Sequence, residues 1–528
     1  MQSVTLVKPN QYSDSVSLMR LSNDVAALEG VEDVLVGMAT DLNRELLAGM
    51  GAATAETDAA TPNDLLIAVV ATDKDAADRA LEAIEQGMSK KKPGRAEAGA
   101  AGETVFERID QVAELDEGFN MAVVSVPGTY AAHECQAALR DGMHVFLFSD
   151  NVSVEEELNL KALAREKGLL MMGPDCGTAL INGIALGFAN VVRQGDIGIA
   201  AASGTGLQQL TQLINAMGGG ITQAIGVGGR DLSAAIGGRT MLAALEALSD
   251  DEATRVIVVL SKPPAPEVAS TVLEVAKGIG KPVVLCLLGR ELDADLGALE
   301  LAGNLEEAAA AAVRLSSGST PSLIDPFYDE STFPATLASL RPTQRFVRGI
   351  FCGGTVCDEA MVCFRSVGLP IRSNIPLSEA ERLEDVHQSV GNTFIDMGDD
   401  YFTRGKPHPM IDPSLRNRRI VADALQSDTA VMLVDVELGY GSHPDPAGVL
   451  VEAVDEANAR LAGEGRTVVW IASVIGTEGD PQGFEPQCNK LLDAGMLVSI
   501  SNIRAARLAA RAVTAAGAQA EAAEGRQQ

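Results

Sequence analysis

Between Asn120 and Leu315 short apolar blocks alternate with stretches of helical spacing. MAVVSV, MHVFLFS, LLMMGP, DIGIAAA, QAIGVGG, RVIVVL and PVVLCLLG are the blocks, and TYAAHECQAALRDG and VEEELNLKALAREKG fill the first gaps. Blocks apolar throughout, rather than at every second position, belong to strands buried on both faces, which predicts parallel sheets covered by helices. The rhythm stops in SSGSTPSLIDPFYDESTFPATLASLRPTQR, rich in Ser, Thr and Pro, and that stretch reads as a linker. It resumes with RFVRGIFCGGTVCDEAMVCFRSVG, NTFIDMGDD, AVMLVDVELGYG and TVVWIASVIG, to about Val513. From Val4 to Met88 the order differs: strand VTLVK, helix SVSLMRLSNDVAAL, strands VEDVLVGMA and DLLIAVVA, helix DKDAADRALEAIEQG. That order predicts a small α+β sandwich of ferredoxin-like or ACT-like kind, suited to regulation or assembly. The basic knot SKKKPGR and the small residues after it read as a connector. The expected pieces are an α+β domain over 1–95, α/β modules over 118–189, 190–315 and 345–515, a linker over 316–344 and a frayed tail over 516–528.

A chain of 528 residues exceeds one hydrophobic core and predicts about three or four domains. Charge narrows the partners: 41 Lys plus Arg against 72 Asp plus Glu give −31, a surface that repels nucleic acid and anionic lipid. An anionic substrate must then be held by local backbone N–H groups or a few placed cations. The 7 cysteines are scattered, unlike a secreted disulfide scaffold, which fits a reducing cytoplasm. The start, MQSVTLVKPNQYSDS, lacks an export pattern, and the longest apolar runs are strand-sized, so neither nucleic acid nor membrane is an expected partner.

Ligands of open α/β sheets collect at the carboxyl ends of strands. Four loops qualify. In GIAAASGTGLQQL a strand breaks at Ser203-Gly204-Thr205-Gly206 and a helix follows, so glycines, hydroxyls and unpaired N–H groups are offered to an anion. It is neither a Walker loop, which needs a Lys in register, nor a full GxGxxG. DVELGYGSHPDPAG also leaves a strand through glycines, with His443 and Asp445 before a helix near Pro446. A histidine there acts as a general acid, a phosphate donor or an inert cap. IFCGGTVCDEA repeats the design, with Asp358 and Glu359 placed to complement the helix dipole. FIDMGDDYFTRGKPHPMIDP is dense in titratable groups: Asp399, Asp400, Arg404, Lys406 and His408. Cys352, Cys357 and Cys363 match no structural zinc spacing and read as small core residues, so no metal is expected.

LLMMGPDCGTALINGIALGFAN and GDIGIAAASGTGLQQLTQLINAMGGGITQAIGVGGRD resemble segments of the α-subunit of succinyl-CoA synthetase and the wider NDP-forming acyl-CoA synthetase superfamily. SVPGTYAAHECQAALRDGMHVFLFS resembles part of its CoA-binding Rossmann unit, and Asp396 to Gly448 is similar to the C-terminal domain of its β-subunit. The resemblance implies a Rossmann-like CoA-binding-type module over 118–189 and two flavodoxin-like ligase domains over 190–315 and 345–515. It also implies two facing helix N-termini around a transferred phosphate, with Ser203, Gly204, Thr205 and Gly206 on one side and Gly439, Gly441 and His443 on the other. Where that family carries its phosphohistidine, LLGRELDADLGALELAGN has no histidine, and the family's supporting carboxylate falls on Lys262, a cation suited to a phosphate. No ATP-grasp module is visible and no glycine-rich turn precedes Met121, so no cofactor is assigned.

The N-terminal extension, SGTG, CGGTxCDEA, FIDMGDD, GKPHPMIDP and GYGSHPDP together resemble the FdrA family, synthetase-like proteins associated with oxamate carbamoyltransferase. What this implies is carbamoyl transfer between phosphate and oxamate within a complex of transferase subunits, with a possible homodimer. Lys262 and His443 would be catalytic, and Asp399, Arg404 and His408 would position the second substrate. The rival expectations are an acyl-CoA synthetase subunit that needs an ATP-grasp partner, and a non-catalytic scaffold.

Overall fold

The computed structural model describes residues 2–9, 11, 15–26, 28, 30–61, 64–89, 106, 109–113, 118–289, 296–331, 333–404 and 406–524. The connector read at 89–95 falls almost wholly outside these, as does part of the histidine-free stretch, at 290–295. The chain divides into two compact units, Met1–Gly118 with Asp400–Pro407, and Phe119–Asp399 with His408–Gln528.

In the first unit, strands Gln2–Lys8, Leu65–Ala71 and Val31–Met38 form an antiparallel sheet with the Leu65 strand central. Leu18, Val25, Val36, Ile67, Val69 and Ile84 make one core between this sheet and the helices Ser15–Ala26 and Lys74–Ser89. The sequence reading lacks two further helices, Asp41–Gly49 and Ala55–Ala59. Leu47, Ala52, Ala60, Leu66 and Ala68 build a second small core on the opposite face. Both faces of the Leu65 strand are therefore covered, which the unbroken apolar run DLLIAVVA requires.

The second unit begins with three parallel strands, Met121–Val124, His144–Leu147 and Met171–Met172, and the helices Gly128–Arg140 and Val154–Lys167. The next two strands, Thr178–Ile181 and Ile184–Gly187, leave this module although they lie within the expected 118–189 boundary. They form a hairpin on Asn182-Gly183, both at positive φ, a turn suited to Asn-Gly, and pair with Ile221–Gly226 of the following sheet. In that sheet the parallel strands Gln194–Ala202, Ile221–Gly226, Val256–Ser261, Val283–Leu287 and Glu300–Leu301 lie in the spatial order 2-1-3-4-5. A second all-parallel sheet repeats that order with Phe346–Phe351, Thr393–Asp396, Thr429–Glu437, Val469–Ile475 and Leu497–Ser499, plus the short Arg372–Ser373 at its edge. Both are flavodoxin-like, and in both the order reverses beside the first strand, where ligand crevices open.

Helix Gly204–Ala216 from the first sheet and helix Gly354–Ser366 from the second meet the start of the final helix, Asn502–Glu524. The Asn502 amide nitrogen donates to Val356 O and Glu359 Oε2, and its backbone N–H to Gln209 Oε1. Farther along the seam, Asp480 accepts from Asn190 Nδ2 and from the Val191 N–H. The expected frayed tail is instead helical as far as Glu524, because an alanine-rich face buries Ala505, Ala509, Ala512, Ala516 and Ala520. All seven cysteines are unpaired and buried, as core residues. Among the described residues no helix is long and apolar enough to cross a membrane.

Candidate active site at two facing helix N-termini

Ser203 follows the last residue of strand Gln194–Ala202 and caps helix Gly204–Ala216, its Oγ accepting from the Gly206 N–H at 2.9 Å. The same hydroxyl donates to Thr355 Oγ1 at 2.6 Å. Thr355 is the second residue of helix Gly354–Ser366, launched from strand Phe346–Phe351 through Cys352 and Gly353. Two helix N-termini, each with unpaired N–H groups and a positive pole, thus touch through a hydroxyl pair. Only glycine allows this approach. A methyl group on Gly206 would lie 2.7 Å from Thr355 Cγ2, and one on Gly353 would collide with Thr205. The buried Thr178 hydroxyl, 3.5 Å from where a methyl group on Gly204 would lie, has no hydrogen-bond partner among the described residues.

Lys262 emerges directly after strand Val256–Ser261 and reaches the same point: a methyl group on Gly354 would sit 2.6 Å from both Lys262 Nζ and Asp396 Oδ2. Asp396 ends strand Thr393–Asp396, and its Oδ1 accepts from the Gly398 N–H at 2.9 Å. Asp358 lies one turn into the Gly354 helix and is also buried. Burial pushes Asp396 up to about 7 and Asp358 up to about 6, with the Lys262 ammonium opposing both shifts. Burial works against the charge of Lys262 in turn, but Asp358, Asp396 and Asp175 outweigh it and hold the lysine above its ordinary value. The ammonium therefore stays charged at neutral pH. The arrangement brings together two helix poles, one cation and two carboxyls close to neutrality in their titration, chemistry suited to holding a phosphate-like anion and moving a proton.

Behind it a buried lock sets the second helix. Asp435 accepts from the Cys352 N–H at 2.9 and 3.0 Å and the Gly353 N–H at 3.2 Å, while Arg416 donates to Asp435 Oδ1 at 2.8 Å and to Ile350 O at 3.0 Å. Ligand atoms of Cys352, Asp435 and Glu437 lie within 4.8 Å of one another, but the set does not fit a metal ion. Both Asp435 oxygens already accept two hydrogen bonds, Arg416 supplies the positive charge, and burial raises the Cys352 thiol so that no thiolate is offered. Burial and the Asp435 charge likewise push Glu437 upward, so it holds its proton.

Of the two termini paired in the sequence reading, the structure sets Ser203–Gly206 against the Gly353–Thr355 turn and not against the Gly439–Gly441 loop. Gly439 and Gly441 have φ of 103° and 82° because their loop presses on Phe188 and Ala189: the Tyr440 N–H donates to Ala189 O at 2.8 Å. A methyl group on Gly441 would lie 2.8 Å from Phe188 Cδ1. The helix after that loop, Pro446–Gly463, is already capped by Asp445, which accepts from the Gly448 N–H and pairs with Lys490 at 2.6 Å. Gly353 and Gly354 supply the facing terminus instead; the two loops share one strand, glycine, helix pattern, which periodicity cannot separate. His443 stands on the capping turn, its Nδ1 accepting from the Asp445 N–H and its own N–H donating to Met410 O. The structure thus brings Lys262, and not His443, to the paired termini.

His408 lies at the site's edge, its Nε2 where a methyl group on Gly398 would be 2.6 Å away. Burial lowers it to about 4, so its ring is neutral. The Asp399 charge bears directly on Asp396. Arg404 belongs to Asp400–Pro407, the segment grouped with the first unit, and is not among the residues brought together here. Gly353, Gly354, Thr355 and Asp396 lie in two of the loops the sequence reading selects but receive no site role there. Their one signal is position: each ends a buried strand or opens the helix that follows.

Residues 1–105 match the model described as AllF, heavy metal-associated domain; residues 192–289 match the CoA binding domain and residues 350–512 the CoA-ligase domain. The segment 118–189 lies outside the CoA-binding match. Residues 1–105 contain neither cysteine nor histidine, so they offer a heavy metal no thiolate or imidazole donor. Succinate–CoA ligase [ADP-forming] subunit alpha 2 of Archaeoglobus fulgidus is 26% identical over 175 residues, 32% of this chain and 59% of that one. Among solved structures, the dinucleotide forming acetyl-coenzyme A synthetase 1 of Ca. Korarchaeum cryptofilum, in complex with phosphate and ADP, aligns with a TM-score of 0.35 and 16% identity, covering 82% of this chain and 88% of that one. The uncharacterized protein YahF of Escherichia coli K12 is 45% identical over 505 residues, 96% of this chain and 97% of its own length, and the chain belongs to the YahF family, with a synthetase-like fold.

Proposed function

We propose that the paired N-termini bind the phosphate of an acyl phosphate, and that the chain is an FdrA-like subunit of a carbamoyl-transferring complex. The reaction would be of oxamate carbamoyltransferase type, carbamoyl phosphate plus oxamate giving oxalurate and phosphate, in purine catabolism in the cytoplasm. The observation that carries the reading is the Ser203–Thr355 hydroxyl pair beside Lys262, a cradle for one tetrahedral anion. A sequence without histidine from Leu287 to Asn304 supports direct use of an already phosphorylated substrate over a phosphohistidine relay. In this reading, backbone N–H groups at Gly204–Thr205 and Gly354–Thr355 hold the phosphate oxygens, the Gly206 N–H keeps the Ser203 cap, and Lys262 stabilises the charge that builds as the carbonyl C–O bond breaks. Asp399 and His408 border the place of the second substrate. Other transferase subunits complete the active form.

The test is co-expression with candidate partner subunits, followed by two assays: phosphate release from carbamoyl phosphate plus oxamate, and thioester formation from ATP, CoA and a carboxylic acid. Oxamate-dependent phosphate release is expected. Activity in the thioester assay alone would refute the reading in favour of an acyl-CoA synthetase subunit.

A further inference from the structure

Besides Glu437, which holds its proton beside Asp435, six carboxyls approach the cradle or the turn behind it, and hydrogen bonds together with position sort them. Glu359 accepts from the Leu305 N–H at 2.8 Å and from Asn502 Nδ2 at 2.7 Å, tying it to structure. Both oxygens of Asp435 are filled by Cys352, Gly353 and Arg416. Asp175 is exposed and acts on Lys262 by its charge, and Asp399 follows Gly398 in the chain. Asp358 is buried along the Gly354 helix, a turn behind its N-terminus. Asp396 differs: Oδ1 is fixed by the Gly398 N–H, while Oδ2 accepts no hydrogen bond among the described residues and points at the Gly354 terminus, where Lys262 Nζ also arrives.

We propose that Asp396 is the proton-transfer residue of this site, giving a proton to the departing phosphate and regaining one from the attacking nitrogen. The proposal rests on the phosphate-cradle reading and deepens it. As the nitrogen–carbon bond forms and the carbonyl carbon–oxygen bond to phosphate breaks, the phosphate oxygen that keeps the bonding pair takes the proton that Asp396 carries in the phosphate-bound state. The attacking nitrogen gives up one proton to Asp396 Oδ2, and Asp396 thereby returns to its starting state. Lys262 and the helix poles hold the charge of that phosphate oxygen meanwhile.

The groups facing Asp396 are Lys262 after its strand, Asp358 on the Gly354 helix, Asp399 on its own loop and the neutral His408 across Gly398. A phosphate dianion placed against Lys262 competes for that cation, the group opposing the burial-driven rise of Asp396 to about 7. Binding should therefore draw a proton onto Asp396. Calorimetric titration of the full chain with inorganic phosphate at about pH 8, where phosphate is a dianion, in buffers of different ionisation enthalpy, reads this directly. The wild type is expected to take up protons; Asp396→Asn is expected to bind phosphate within about threefold of the wild type with the uptake gone, and in the partnered complex to lose about 100-fold or more in kcat. Proton uptake retained by Asp396→Asn, no uptake by the wild type, phosphate affinity lost together with Asp396, or kcat unchanged would each overturn the assignment. A wild type that binds no phosphate at all would instead bring down the cradle itself, an outcome distinct from the others.

Discussion

At the scale of single residues, the site depends on two kinds of position, a charge at the end of a strand and a missing side chain. Lys262→Met removes the cation while keeping most of the length, and phosphate affinity is expected to fall about 100-fold, as when one charge-stabilising donor is deleted from a dry site. Gly354→Ala places a methyl group 2.6 Å from both Lys262 Nζ and Asp396 Oδ2, so phosphate binding should disappear while the circular dichroism spectrum stays that of the parent. The pH dependence of stability has a definite sign. Asp396 holds its proton more tightly folded than unfolded, so its contribution is complete below the ordinary aspartate range and is lost as pH rises through about 7. Asp396→Asn should thus gain in thermal midpoint over the parent as pH goes from about 5 to about 8, and a flat difference would contradict it. Lys262 could be found in the sequence because the resemblance to the synthetases places their supporting carboxylate at its position, and Ser203 because it directly follows an apolar block. Asp396 follows one too, in NTFIDMGDD, but nothing local distinguishes a carboxylate aimed at a lysine of another sheet from one that starts a polar loop.

Secondary-structure elements carry the next layer. Alternation of apolar blocks with helical stretches was enough to place both flavodoxin-like sheets, because strands covered on both faces leave an unbroken apolar record. The hairpin on Asn182-Gly183 was missed since its strands are short and its partner, Ile221–Gly226, lies in another module. The meeting of the Gly204 and Gly354 helices is not legible for a related reason: the turn before the Gly354 helix is set by the Arg416–Asp435 pair, and that bond spans 19 residues that share no local pattern. Arg416→Met should test the lock. Leaving Asp435 buried without its cation costs about 3–5 kcal/mol, read as a lower denaturant midpoint, and phosphate affinity should fall with it because the Cys352–Gly353 turn is released. Ser203→Ala is expected to be milder, about 1 kcal/mol for the lost cap, with Thr355 left without its hydroxyl partner.

Over the whole molecule, the two sheets are held by side chains that cross between them more than by the chain that joins them. Asn502 bonds to the helices of both sheets, Arg504 pairs with Glu306, and Asp480 receives Asn190 and Val191. The segment between the sheets is itself docked: Asp325 accepts from Ser499 and Ile500, and Glu330 pairs with Arg511. A protease site introduced at the exposed Gly318–Ser319 bond should therefore yield two fragments that co-elute and bind phosphate as the intact chain does; separation on a sizing column would show that the covalent link is needed. The Ser203–Thr355 bond joins positions 152 residues apart in one polypeptide. Both walls of the cradle consequently appear in equal number with every molecule translated, and dilution cannot part them. Phosphate capture should then be independent of protein concentration down to the most dilute solution in which the chain stays folded, even where assembly with other subunits has long been lost.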